Sequence, residues 1–268
     1  MSLASGSHAK HSRPEPTVFW RRFVADRPLA GKRIVVTRPE SKPLAEALEG
    51  LGAEAAIVPL IEIRPVEDPR ALDAALQNLQ DYDWVVFTSV NGVAAVGERL
   101  SGIGEATRVA AVARVTADAV RALGVEPSFV AARASEDIAA GLGLLDGTRV
   151  LLPQADIADS RLGDELRERG ASVDSVVAYR TVQIEPSLWG VLPLRIAHAI
   201  VLASGSAVRS LATIAGSLDG LGDSTVLVCI GPKTAAVARE VGLPVAVVAD
   251  ETTADGIIRA LVSHFGEN

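Results

Sequence analysis

The chain repeats itself at a nearly fixed distance, and this restricts its fold more than any other feature. Gly31-Lys32-Arg33-Ile34-Val35-Val36 returns as Gly147-Thr148-Arg149-Val150-Leu151-Leu152, a shift of 116 positions from 31 to 147. Leu44-Ala45-Glu46-Ala47-Leu48 returns as Leu162-Gly163-Asp164-Glu165-Leu166, and Gly52-Ala53 as Gly170-Ala171, a shift of 118 from 52 to 170. A second pair of segments keeps that shift: Val115-Thr116-Ala117 and Gly124 correspond to Lys233-Thr234-Ala235 and Gly242. Trp84-Val85-Val86-Phe87-Thr88-Ser89 also resembles Ala199-Ile200-Val201-Leu202-Ala203-Ser204. Shared composition does not hold one offset across several Gly and Thr positions. The order is X–Y–X′–Y′, which specifies two similar domains. It leaves the pairing open. Two pairings satisfy it: X with Y and X′ with Y′, or Y–X′ as an inserted domain with X and Y′ completing the other.

Within each segment, short Val- and Ile-rich runs alternate with helical patterns. Strands are expected at Arg33–Thr37, Ala55–Pro59, Trp84–Thr88, Arg108–Val112, Ser128–Ala131, Arg149–Leu152, Val173–Val177, Ala199–Ala203, Thr225–Ile230 and Val245–Ala249. Runs of about five residues, apolar on both faces, are the pattern of buried parallel strands. Helices are expected around Leu44–Leu51, Thr116–Leu123, Asp164–Arg169 and Lys233–Val241, stopped by Gly52, Gly124, Gly170 and Gly242. The result is an α/β fold with parallel sheets flanked by helices.

Composition then removes function classes. Apolar residues make up 49% of 268, enough for two cores. No apolar run approaches the roughly 18 residues of a membrane span. The acidic balance, −7 overall, and the lack of a basic run disfavour nucleic-acid binding. The single cysteine, Cys229, fits a buried strand position and a reducing cytoplasm. The polar stretch Met1–Pro16 is not a signal peptide. Residues 1–29 read as a tail, disordered or a leader, and Phe19-Trp20-Arg21-Arg22-Phe23 as a possible short docking helix. His8 and His11 lie in that tail, and His198 and His264 are isolated. No HExxH, GxSxG, Walker or GxGxxG pattern stands at a strand–helix turn, so hydrolase, NTPase and dehydrogenase chemistries lack their residues.

Four segments, in order, resemble the uroporphyrinogen-III synthase family. They are Ile34-Val35-Val36-Thr37-Arg38-Pro39-Glu40, then Tyr82-Asp83-Trp84-Val85-Val86-Phe87-Thr88-Ser89-Val90-Asn91-Gly92-Val93, then Val177-Ala178-Tyr179-Arg180-Thr181, then Ile230-Gly231-Pro232-Lys233-Thr234-Ala235. The second is the most specific, and the resemblance covers about residues 30–265. It implies the discontinuous arrangement: residues 30–62 with 182–266 in one domain and 66–178 inserted as the other. A two-stranded linker at Ile61–Val66 and Tyr179–Ile184 and an active site in the cleft between domains are also implied. Arg27–Arg33 resembles the seam where this synthase follows a methyltransferase in some organisms. The chain departs from the family's usual pattern at Ala113, where a Gly is usual, at Gln154-Ala155, and at Ala203 in the reduced second motif.

The resemblance implies hydroxymethylbilane as substrate, a linear tetrapyrrole with eight carboxylates. Loss of the ring A hydroxyl leaves an azafulvene, ring D attacks through its substituted carbon, and a spiro intermediate reopens with ring D inverted. No cofactor or metal is implied. The expected partners are this small molecule and a transient hand-over from hydroxymethylbilane synthase, with no nucleic acid, no membrane and a monomeric state. Tyr179 is the candidate catalytic donor, since a phenol with a pKa near 10 is protonated at neutral pH. Ser89 and Ser204 each follow a strand and precede a helix, and Thr116 and Thr234 are expected to open helices. Helix N-termini bind carboxylates through free N–H groups, which would let an acidic protein hold a polyanion. Arg38 and Lys233 are candidate carboxylate partners, with Thr37, Asn91 and Ser206 as weaker candidates of the same kind. Two other functions stay open: a tetrapyrrole- or anion-sensing module without turnover, and a different two-domain α/β enzyme such as a glycosyltransferase.

Overall fold

The computed structural model describes residues 27–104, 106–132, 136–184, 188–217, 221–222 and 224–266. Its elements in chain order are β1 (Arg33–Val36), α1 (Lys42–Gly50), β2 (Glu54–Ile57), β3 (Ile61–Pro65), α2 (Arg70–Gln77), β4 (Trp84–Phe87), α3 (Val90–Val96), β5 (Arg108–Val112), α4 (Ala113–Ala122), β6 (Phe129–Ala131) and α5 (Glu136–Gly141). There follow β7 (Arg149–Ala155), α6 (Arg161–Glu168), β8 (Ser172–Gln183), α7 (Leu188–Ile196), β9 (Ala199–Leu202), α8 (Gly205–Ser217), β10 (Val226–Cys229), α9 (Pro232–Glu240), β11 (Val245–Val248) and α10 (Ala254–Gly266). Most of the sequence-based tail, including the segment Phe19–Phe23, lies outside the described residues.

The chain divides into two units. One holds the residues up to Leu60 and from Ile184 onward, and the other is Ile61–Gln183. The first unit has a five-stranded sheet in the order β11-β10-β9-β1-β2, parallel throughout. Its three central strands, β1, β9 and β10, are apolar on both faces because both faces are covered. Val35, Ile200, Leu202, Leu227 and Cys229 pack under α7, α8 and α9 through Leu194, Val208, Leu211 and Ala235. Ile34, Val36, Val201 and Val228 face α1 and α10 through Leu48, Ile257 and Leu261. Leu29 completes this second layer, fully buried, and its N–H donates to the Leu51 carbonyl at 3.1 Å. Leu29, which the sequence leaves in the tail, thus belongs to the core, a placement invisible in a segment too short to show periodicity.

The second unit has a six-stranded sheet, β3-β8-β7-β4-β5-β6, in which only the β3–β8 pair is antiparallel. Val85, Phe87, Val109 and Leu151 form one core layer. Trp84, Val86, Ala110, Val150 and Leu152 form the other. Apart from β3, the order β8-β7-β4-β5-β6 repeats the order β2-β1-β9-β10-β11 of the first unit. The repeated sequence segments thus become repeated topology, with X joined to Y′ and Y joined to X′.

Local chemistry accounts for the element ends. Gly52, Gly124, Gly170 and Gly242 follow α1, α4, α6 and α9 with φ of 97°, 82°, 94° and 77°. At Gly170 a Cβ would also stand 2.9 Å from the Asp146 Cα, so glycine is required twice over. The helices start earlier than expected, at Lys42, Ala113, Arg161 and Pro232. Thr116 and Thr234 are therefore the fourth residue of α4 and the third of α9, not their openers. Polar first turns carry no apolar period, which is why the sequence placed these starts late. Strand β8 runs for 12 residues rather than five, because its second half pairs antiparallel with β3, from Ile61 opposite Gln183 to Pro65 opposite Tyr179.

Candidate active site

In an open parallel sheet, ligands bind beyond the carboxyl ends of the strands, where the strand order reverses. In the second unit the reversal lies between β4 and β7, since the chain builds outward from β4 through β5 to β6 and from β7 to β8. Ser89 follows β4 at this point and caps α3, its Oγ accepting from the Gly92 N–H at 3.1 Å. The same Oγ lies 2.9 Å from the Tyr179 hydroxyl. Gly92 sits close to β7, where a Cβ would be 3.1 Å from the Pro153 carbonyl oxygen.

Tyr179 is buried, at 8% exposure. Burial pushes its phenol above the ordinary value, hydrogen bonds with Ser89 and Asn91 pull it down, and the Asp156 charge pushes it up again, with a net rise. The group is a protonated donor across the neutral range. Ser89, Asn91 and Tyr179, three of the sequence-based candidates, thus meet in one cluster. Thr116 does not share that character: it is buried in the core at 2% exposure.

The first unit repeats the arrangement between β1 and β9. Ser204 follows β9 and its Oγ accepts from the Ala207 N–H at 3.2 Å, as Ser89 does for Gly92, and lies 3.1 Å from the Ser206 Oγ. A cavity of about 220 Å³ opens at this reversal, lined among others by Arg38, Ser41, Ala203, Ile230 and Ile257. Arg38 is half exposed, with Glu40 at 3.9 Å. Lys233 is exposed on the first turn of α9. Thr234 is buried.

Thr37, a candidate for substrate contact, lies in the core of the first unit. It is fully buried, and its Oγ1 donates to the Val201 carbonyl at 2.8 Å, tying β1 to β9. Its position after a strand resembled that of a loop ligand; only the fold shows that its hydroxyl turns inward. The sequence passed over Ser41 and Asp156, both in polar loops with no periodic or motif signal.

Other titratable groups serve the scaffold. His198 Nδ1 accepts from the Arg33 N–H at 2.9 Å, and burial with the nearby Arg33 and Lys32 charges lowers its pKa. Cys229 is fully buried on β10, and burial pushes its thiol up to about 11. Tyr82 is pushed up to about 12, first by burial and then by its hydrogen bond to Asp174. Among the described residues no group of three or more His, Cys, Asp or Glu side chains is placed to hold a metal, and no helix is long and apolar enough to cross a membrane.

A sequence profile described as "Uroporphyrinogen-III synthase HemD" matches residues 42–259, well over half of the chain. The chain belongs to the uroporphyrinogen-III synthase family. A relative from Synechococcus elongatus named uroporphyrinogen-III synthase is 30% identical over 261 residues, covering 89% of this chain and 97% of its own. The porphyrin biosynthesis protein HemD of Ruminiclostridium josui is 32% identical over 259 residues, covering 90% of this chain. The present chain spans 50% of that longer relative. Two solved uroporphyrinogen-III synthase structures share the fold. A mutant form from Thermus thermophilus has a TM-score of 0.62 at 18% identity, covering 88% of this chain and 100% of its own. The Helicobacter pylori protein has a TM-score of 0.60 at 20% identity, covering 87% and 99%. The two-domain α/β architecture is thus that of the synthase family.

Proposed function

We propose that the protein converts hydroxymethylbilane into uroporphyrinogen III, closing the macrocycle with ring D inverted and releasing one water. The family match over residues 42–259 is the observation that carries this reading. Departure of the ring A hydroxyl as water needs a proton, and the buried Tyr179 phenol, held by Ser89, is the donor. The azafulvene left behind is attacked by the substituted carbon of ring D. The spiro intermediate opens at the other bond, ring D turns over, and its free carbon closes the ring with loss of a proton. Since the substrate also closes unaided to the uninverted isomer, the protein's contribution is chiefly to hold one folded pose.

A chain of charge −7 must hold eight carboxylates through local donors. Arg38, Lys233, Asn91, Ser204 and Ser206, with the N–H groups at the starts of α8 and α9, supply them. Thr37, Thr116 and Thr234 are buried, each within its own unit's core. The reading includes a cytoplasmic monomer that takes its labile substrate from hydroxymethylbilane synthase.

The test generates hydroxymethylbilane in situ with its synthase, adds this protein, oxidises the products and separates the isomers. Isomer III is expected, and isomer I alone overturns the proposal. One observation favours the second reading, a sensor without turnover: Ala113 holds φ of 62° where the family usually places glycine. Isomer I accompanied by tight tetrapyrrole binding would select it.

A further inference from the structure

Strand β8 contains an irregularity directly ahead of the tyrosine. Gln154 pairs with Val177, but the next β7 residue, Ala155, pairs with Tyr179, so Ala178 is an extra residue. Burial reports the same break. Val177 is 45% exposed, while Ala178 and Tyr179 are buried in succession at 3% and 8%. A regular strand sends neighbours to opposite faces; here both join one core layer with Phe87 and Leu151. Bulges re-aim side chains in this way and recur beside active sites.

One residue holds the strand just beyond this bulge. The Asp156 N–H donates to the Tyr179 carbonyl at 3.0 Å. Its Oδ1 accepts from the Thr181 N–H at 2.9 Å. β7 ends at Ala155, so this carboxylate takes the place of the next ladder acceptor. The Arg180 guanidinium lies 3.8 Å from Oδ2 and also pairs with Glu67, which secures the carboxylate from the other side.

We infer that Asp156 is a positioning residue for Tyr179: by holding the backbone at residues 179 and 181, directly after the bulge, it fixes where the phenol hydroxyl stands against Ser89. This rests on the proposed role of Tyr179 for its effect on turnover, but the placement itself is independent of any reaction. Asp156 touches no substrate in this account.

The chain has two tyrosines, so Tyr82→Phe leaves Tyr179 alone to carry 3-fluorotyrosine. In that background the fluorine resonance is expected to lie away from that of the unfolded chain. Asp156→Ala is expected to move it toward the unfolded value and to lower kcat about 10-fold or more at unchanged KM. Asp156→Asn retains the Oδ1 acceptor and is expected to keep both resonance and kcat. Should Asp156→Ala not fold, Asp156→Glu, which moves the carboxylate out by one methylene, takes its place with a displaced resonance expected. A resonance unmoved in the folded Asp156→Ala or Asp156→Glu variant overturns the inference, as does a folded Asp156→Asn that behaves like Ala. If the parent protein makes no isomer III, the functional proposal fails while the fluorine shift still decides the placement.

Discussion

The Ser89 and Tyr179 hydroxyls meet at 2.9 Å although 90 residues separate them in sequence. Ser89 ends the first strand of one repeated segment, and Tyr179 lies beyond the bulge in the last strand of another. Their contact holds the proposed proton donor in place.

Tyr179→Phe removes the donor and keeps the ring in its core layer. Turnover should fall by about 100-fold, within the range of lost general-acid catalysis. Stability should change by about 1–2 kcal/mol, because the neutral hydrogen bonds to Ser89 and Asn91 are lost. Isomer-resolved product formation and urea unfolding measure the two effects. Unchanged turnover would remove the residue from the mechanism.

Thr37→Val deletes the buried hydroxyl that donates to the Val201 carbonyl. A loss of about 1–2 kcal/mol is expected from the stranded acceptor. The unfolding midpoint should drop while KM stays near that of the parent, since this hydroxyl faces the sheet. A selective rise in KM without loss of stability would restore Thr37 as a substrate contact.

Ala113 adopts φ of 62°, in the left-handed region that a Cβ disfavours. Ala113→Gly relieves about 1 kcal/mol of strain, partly offset by the greater freedom of glycine in the unfolded chain. A gain of about 0.5 kcal/mol is expected, whereas the β-branched Ala113→Val should destabilise. Thermal unfolding of the pair checks the order Gly, Ala, Val.

Gly256 lies in the first turn of α10, where a Cβ would stand 2.2 Å from the Glu251 carbonyl oxygen. That neighbour is backbone and has no rotamer by which to yield. Gly256→Ala should cost about 1–3 kcal/mol from overpacking despite the better helix propensity of alanine. It should also perturb the cavity that Ala254 and Ile257 line. A stabilised variant would show that the Glu251 carbonyl yields to the added Cβ.

Alkaline pH should destabilise the fold. The Cys229 thiol is held at about 11 and the Tyr82 phenol at about 12, and burial raises Tyr179 as well. Each group keeps its proton in the folded state to a higher pH than in the unfolded chain. Their contribution is complete below the unfolded values, near 9 for the thiol and 10 for the phenols, and is lost as pH rises through the folded ones. Unfolding free energy should therefore decline from about pH 9 toward 12, because the unfolded chain then binds fewer protons. Cys229→Ala should remove the earliest part of the decline, from about pH 9 to 11, as measured by urea titrations at fixed pH.

Local sequence specified the elements well. The runs at Ile34–Val36 and Val85–Phe87 are apolar throughout because helices cover both faces, and the glycines at 52, 124, 170 and 242 stop their helices at positive φ. The serines at 89 and 204 could be read as caps because a cap acts within three residues. Leu29 and the second half of β8 could not be read, since one is an isolated contact and the other is created by its partner β3.

By itself the sequence determined that there are two copies of one α/β pattern, and which residues end their strands and open their loops, since these follow from near-neighbour sterics and hydrogen bonding. Tertiary structure alone decided that X pairs with Y′. It also decided that Thr37 turns inward, and that a bulge at Ala178 brings Tyr179 to Ser89. Strand pairing joins residues far apart in the chain, and either pairing of the repeats would bury the same apolar faces. A one-residue change of register also leaves no mark in composition while sending a side chain to the opposite face.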